Sequence, residues 1–275
     1  GLIKVVGDYE TPIVTHCHIE PANSFAYMED GKIVVVSSTQ IPHIVRRVCS
    51  QALGVGFGTI RIVKPYIGGG FGNKQDALTE PLNAYLTTRV GGRPVRLAYT
   101  REETFACTRT RHAMKFHIES YIRPDGSFAA RSIEAYSNQG AYASHAHALV
   151  ANSVNGFRMM YPVGAIKGEA YTVYTNMPTA GAMRAYGIPQ IGFALEAHVD
   201  DIVAKTGFDS IKIRKQNMMK LGFVDPVTTI TCHSTGLEEC IDKGEKYLSY
   251  TKKRKEYEKQ DGPIRRGVGM AIFCY

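Results

Sequence analysis

A chain of 275 residues is long enough for one large domain or two modest ones, with a buried core that needs no disulfide or metal staple. Apolar residues at 44% and charged residues at 21% describe a globular protein, not a disordered one. No window approaches about eighteen uninterrupted apolar residues, which excludes a transmembrane helix. The net charge of +8 reads first as a solvated surface with a basic run at residues 252–255. With no Trp and no basic stripe interleaved with aromatics, nucleic-acid binding is set aside.

The N-terminal Gly1-Leu2-Ile3-Lys4 lacks the apolar stretch and cleavage site of a signal peptide. It also lacks a starting Met, which points to a processed or excised piece of something longer. Residues 32–38 carry the run Ile33-Val34-Val35-Val36 and read as a buried strand, leaving Gln40 in a strand-to-helix turn. Ile44, Val45, Val48, Ala52 and Leu53 fall on one helical face that Gly54 ends. Residues 59–64 read as a strand running into Gly68-Gly69-Gly70-Phe71-Gly72, followed by a helix over 77–90 and a short strand over 94–99. Residues 114–123 and 127–137 form a hairpin about Pro124-Asp125-Gly126, where Pro presets φ and Gly accepts a positive φ. Small and polar residues fill 140–162, and 170–175 reads as a strand. A second small-residue loop, Ala180-Gly181-Ala182-Met183-Arg184-Ala185-Tyr186-Gly187, precedes a helix over 190–205. Asp209 caps a helix over 211–221 that Gly222 ends, a long charged helix spans 236–260, and 267–273 resumes as a strand. Strands and helices mix without strict alternation, so the fold class is α+β, with mixed sheets and packed helices.

Cysteines at 17, 49, 107, 232, 240 and 274 form no C-x-x-C pair. A four-thiolate zinc or iron–sulfur site has no support, and scattered thiols in a reducing cytoplasm are the reading that fits. The first loop follows a strand and opens a helix, where glycines let backbone approach a ligand and free N–H groups bind an anion. Its spacing fits neither the dinucleotide fingerprint nor a P-loop, since Gln75 follows Lys74. In the second loop Arg184, among small residues ahead of a helix, is placed to pair with an anion. His16-Cys17-His18 and His145-Ala146-His147 carry metal-ligand spacing but find no third ligand, and read as structural.

Taken together, the two loops resemble the xanthine oxidase family of molybdenum hydroxylases. Other segments match in the same order: Thr15-His16-Cys17-His18-Ile19-Glu20-Pro21, Val36-Ser37-Ser38-Thr39-Gln40, Arg93-Pro94-Val95-Arg96, Thr100-Arg101-Glu102-Glu103, Ser137-Asn138-Gln139-Gly140-Ala141-Tyr142 and Arg214-Lys215-Gln216-Asn217-Met218. The resemblance implies a molybdenum–molybdopterin cofactor, in its cytosine dinucleotide form. It implies that Gln40, Gly70, Phe71, Gly72 and Arg184 contact that cofactor, with no protein ligand to the metal. Gln75 stands where purine-oxidising members carry a substrate-binding Glu, and Tyr186 where a Phe stacks on the substrate ring. Those enzymes also carry an Arg at the position of Asn152, and the nearest Arg here is Arg158.

The family's catalytic base lies beyond this chain, on a partner half, so no catalytic residue is assigned here. Residues 1–275 are thus expected to form the first half of the molybdopterin-binding region, completed by a second molybdopterin-binding subunit or domain. An iron–sulfur subunit with 2Fe-2S clusters and an FAD subunit complete the assembly, in the cytoplasm. The implied activity is hydroxylation of an N-heteroaromatic substrate with water as the oxygen source. The neutral Gln75 and the missing Arg favour nicotinate, converted to 6-hydroxynicotinate as in nicotinate dehydrogenase. The chain's ending at Phe273-Cys274-Tyr275 is read as the split-subunit form of that enzyme. Xanthine or hypoxanthine is the alternative substrate. A small-molecule binding module with no redox role is the alternative of another class.

Overall fold

β-Branched runs and a few capped helices build two mixed sheets, seen in a computed structural model that describes residues 1–273; Cys274 and Tyr275 lie outside it. In chain order the elements are β1 (Ile3–Thr11), β2 (Asn23–Glu29), β3 (Lys32–Ser37), α1 (Pro42–Leu53), β4 (Ile60–Val63), α2 (Glu80–Arg89), β5 (Val95–Ala98), α3 (Arg101–Cys107), β6 (Met114–Ile122) and β7 (Phe128–Gly140). They continue as α4 (Ala146–Met160), β8 (Ala165–Tyr174), α5 (Ile188–Thr206), α6 (Ser210–Asn217), α7 (Leu237–Leu248) and α8 (Tyr250–Glu256).

The smaller sheet has the order β4-β3-β2-β5. β3 is its most buried strand: Ile33, Val34 and Val35 are all excluded from water, as a central strand covered on both faces requires. α1 and α2 close this layer around Val45, Cys49, Ile60 and Ala84. The larger sheet has the order β1-β6-β7-β8, with β7 and β8 parallel and the other pairs antiparallel. One face of β6 and β7, from Met114 and Phe116 to Ile133 and Ala135, packs against Leu149 and Phe157 of α4 and Ile191, Leu195 and Val199 of α5. The α+β class therefore stands.

Several local expectations are corrected. The stretch read as a polar loop at 140–162 contains α4, a helix held by packing: Leu149, Val150, Phe157 and Met160 are buried despite the glycine and asparagines between them. β8 starts five residues earlier than read, because as an edge strand it is mostly exposed and lacks a clean alternation. α2 starts at Glu80, whose carboxylate accepts from the N–H groups of Leu78 and Thr79. Asp209 does cap α6, accepting from Lys212 N–H, but the helix stops at Asn217, whose amide turns to the β6–β7 hairpin and bonds Phe128 N–H and Gly126 C=O. The long charged helix breaks into α7 and α8 at Ser249, at φ +51°. Residues 267–273 form no strand; Ile272 instead docks on the core and donates its N–H to Glu196 Oε2. β1, β2 and α3 are elements the sequence reading passed over.

Candidate functional site

The two glycine-rich loops meet. The first leaves β4 and reaches a short 3-10 turn at Asn73–Gln75; the second leads into α5. Arg184 N–H donates to the Phe71 carbonyl at 2.9 Å. Gly72 sits at φ +105°, and a Cβ there would fall 2.5 Å from the Ala182 carbonyl oxygen, so the contact between the loops admits only glycine. Gln40, at the end of the β3 turn, closes the group. Its N–H donates to Lys74 O at 2.9 Å and its Oε1 accepts from Gly72 N–H at 3.0 Å. The family-implied residues Gln40, Gly70, Phe71, Gly72 and Arg184 thus converge on one place, although they are spread over 145 positions of the chain.

Beneath the loops lies a buried frame made by the segment His16 to Glu20. His16 Nε2 lies 2.7 Å from Ala182 O, fixing the second loop. His18 Nε2 faces the Asn73 amide N–H at 3.0 Å, so it accepts there, and its Nδ1–H donates to Glu20 O at 2.6 Å. Both imidazoles are used as neutral hydrogen-bonding groups, and burial holds both pKa values below the ordinary histidine range. Glu20 Oε2 takes the N–H of Gly68 at 2.8 Å and the buried Lys74 ammonium at 2.6 Å. Burial works to raise the Glu20 carboxyl, but these bonds outweigh it and hold its pKa below the usual range. Among the described residues no group of three or more His, Cys, Asp or Glu is arranged to hold a metal ion.

Behind the second loop, Arg111 is buried and donates to Arg184 O at 2.8 Å and Gln190 Oε1 at 3.1 Å. The peptide of Arg184 is therefore fixed on both sides. Phe71, Ala185 and Tyr186 all adopt positive φ, at +51°, +67° and +35°. Such strain in non-glycine residues persists only where the surroundings enforce it, and it gathers at functional sites.

The donors left over give the site its chemistry. Among the described residues, the N–H groups of Gly69, Gly70 and Phe71, the Gln40 Nε2 amide and the exposed Arg184 guanidinium have no acceptor in the chain. Neutral and cationic donors converging without a carboxylate fit an anionic, oxygen-rich group such as the phosphate and pterin of molybdopterin. Gln75 joins the cluster through its backbone, its N–H donating to Gly72 O at 3.0 Å, and its amide stays free of the chain. Tyr186 points elsewhere: its hydroxyl lies 2.9 Å from His145 Nδ1. Arg158 is remote from this group, paired with the buried Asp225. Asp76, Arg109, Arg111, His112 and Asn152 are the supporting residues the sequence reading gave no role. Each is a lone polar side chain in sequence, and only the packing of the loops brings them together.

Comparison with known proteins agrees with this geometry. Residues 2–218 match the family model of the molybdopterin cofactor-binding domain. The chain is 46% identical over 273 residues to the xanthine dehydrogenase molybdenum-binding subunit of Escherichia coli, covering 99% of this chain and 36% of that protein. It is 32% identical over 242 residues to the nicotinate dehydrogenase large molybdopterin subunit of Eubacterium barkeri, covering 88% of this chain and 57% of that one. Among solved structures, the aldehyde oxidoreductase from Desulfovibrio gigas superposes with a TM-score of 0.85 at 27% identity, over 94% of this chain and 28% of that one. The chain thus spans about a third of the length of the xanthine dehydrogenase subunit it matches.

Proposed function

From the premise that this chain belongs to the molybdopterin cofactor-binding domain family, we propose that residues 1–275 form one half of the cofactor-binding region of a molybdenum hydroxylase. The whole protein, on this reading, hydroxylates a purine such as xanthine or hypoxanthine, with water as the oxygen source. The observation that carries the cofactor assignment is the set of unpartnered donors at Gly69, Gly70, Phe71, Gln40 and Arg184. Arg184 and the loop N–H groups would hold the anionic parts of the cofactor, and Gln40 Nε2 would donate toward its metal end. The bound group supplies two-electron redox chemistry at molybdenum. This chain's part is to bind it, fix its orientation and keep the loops from shifting.

The substrate preference shifts from the one the sequence suggested. Identity of 46% with a xanthine dehydrogenase subunit, against 32% with the nicotinate enzyme, supports a purine over nicotinate. Nicotinate stays as a second reading because the free Gln75 amide can donate to an anionic substrate. Partners follow the same logic: a second molybdopterin-binding half carrying the catalytic base, an iron–sulfur subunit and an FAD subunit, with the cofactor as its cytosine dinucleotide. The five described cysteines are all free thiols, as a reducing cytoplasm would keep them.

The test is metal and pterin analysis of the natively purified complex, followed by dye reduction with xanthine, hypoxanthine and nicotinate. Molybdenum with pterin and turnover of a purine are expected. Turnover of nicotinate alone would move the assignment to the second reading, and a complex free of molybdenum and pterin would leave only a binding module.

A further inference from the structure

Tyr186 is tied down more thoroughly than a packing residue needs. Its backbone stands at φ +35°, and its carbonyl accepts from Asn152 Nδ2 at 2.7 Å. Its hydroxyl sits between His145 Nδ1 at 2.9 Å and the His145 carbonyl at 3.1 Å, donating to one and meeting the other. The two rings meet edge to face, with centroids 5.6 Å apart and planes at 88°. His145 is itself oriented: its Nε2 lies 4.0 Å from Asp76 Oδ1. Asp76 Oδ2 accepts from Arg109 Nε and Ser144 Oγ, each at 2.7 Å. Asp76 follows Gln75 directly, so the chain of bonds from Asp76 to the phenol begins beside the first loop and ends in the second.

Both ends of the clamp come from one element. His145 is the N-cap of α4 and Asn152 lies two turns further along it. A phenol that only filled space would need neither bond, because its aromatic body supplies the packing. Two polar groups spent on a half-buried ring remove its freedom before any ligand arrives, and a ring fixed in advance costs a stacking ligand less ordering entropy.

We propose that His145 and Asn152 are positioning residues, which clamp Tyr186 as a preset platform for the heteroaromatic ring of the substrate. This rests on the reading of Tyr186 as the ring that meets the substrate. Asn152 thus has a definite task at the position where an Arg was expected: it fixes the platform from behind.

The experiment is a mutant cycle in the natively assembled complex. Variants His145→Ala, His145→Asn, Tyr186→Phe and the pair His145→Ala/Tyr186→Phe are compared with hypoxanthine and with nicotinate. KM and kcat come from dye reduction, and Kd comes from calorimetry on molybdenum-depleted complex, which needs no turnover. His145→Ala should raise KM and Kd about three- to tenfold, the worth of one hydrogen bond, and change kcat less. His145→Asn, which keeps a polar atom near the phenol, should restore most of the loss. In the Tyr186→Phe background His145→Ala should add less than about twofold, since the bond it removes is already gone. An equal effect in both backgrounds, a loss confined to kcat, or no rescue by Asn at an unchanged melting temperature would overturn the clamp. If the pattern holds for nicotinate and hypoxanthine does not bind, the clamp stands and the purine reading falls. If neither ring binds, the clamp falls with it.

Discussion

At Gln40 one side-chain amide has two ends with different tasks, and they can be separated. Oε1 accepts from the buried Gly72 N–H, while Nε2 has no partner in the chain among the described residues. Gln40→Glu keeps the acceptor and removes the donor. It should fold with a melting temperature within about 2 °C of the parent and lose about ten- to a hundredfold in turnover, as expected for one hydrogen bond to a charged group. Gln40→Ala removes both ends and should also destabilise the chain by about 1–3 kcal/mol, because the Gly72 N–H is left buried and unpaired. Thermal melts alongside dye reduction distinguish the two variants; equal stability loss in both would show that the donor end matters to folding instead. The glycines and Arg184 were legible in the sequence as loops built for close approach. Gln40 was legible only by resemblance, because a lone Gln after a strand carries no pattern of its own.

Among elements, α5 and α6 are joined by a buried ionic network that hydrophobic periodicity cannot reveal. Arg214 is fully buried and donates to Glu196 at 2.8 Å, Asp200 at 2.9 Å and Ser210. Tyr161, just after α4, donates to the other Glu196 oxygen at 2.5 Å, and Ile272 N–H completes the set. Four segments thus converge on one carboxylate. Arg214→Met should cost about 3–5 kcal/mol, read as a shift in the urea midpoint at constant slope, because it leaves Glu196 buried without its cation. A cost below about 1 kcal/mol would mean water enters and solvates Glu196. The same contrast explains what the sequence did and did not disclose. β3, α1, α5 and the β6–β7 hairpin carry their own patterns of β-branching, periodicity and turn residues. α4 and β8 do not: one is stabilised by its neighbours against poor helix propensity, and the other is an edge with little to bury. The α3 start was legible and overlooked, since Thr100 and Glu103 form a reciprocal capping box.

The whole molecule carries a pH dependence set by histidines that folding keeps neutral. His198 is buried between β1, β6 and α5, with Nδ1 3.0 Å from Tyr9 Oη and Nε2 2.9 Å from Ser120 Oγ. Burial first, and the positive charge of Arg131 second, push its pKa down to about 3. His112 is fully buried, bonded through Nδ1 to Ser137 Oγ, with Nε2 lacking any partner; burial lowers its pKa to about 4. His16 and His18 shift in the same direction. A histidine whose folded pKa is depressed binds its proton more readily when unfolded. Its contribution is whole above about pH 6.5, declines as the pH falls below that value, and has been lost once the pH passes the folded pKa. His117, raised chiefly by its bond to Asp8, acts in the opposite sense, but it faces solvent and is screened. Glu20, with its lowered pKa, adds a loss only below the carboxylate range. The interval between about pH 6.5 and 4.5 therefore belongs to the buried histidines, each worth up to about 1.4 kcal/mol per pH unit within it. Urea midpoints measured from pH 8 to 4 should be flat above neutrality and fall steeply through that interval. His198→Gln should flatten the fall by about one histidine's share, whatever it does to stability at pH 8. A parent profile level down to pH 4.5 would mean that His112 and His198 bind protons in the folded chain as readily as in the unfolded one. The buried hydrogen bonds joining β1 and β6 to α5 would then have to survive that protonation.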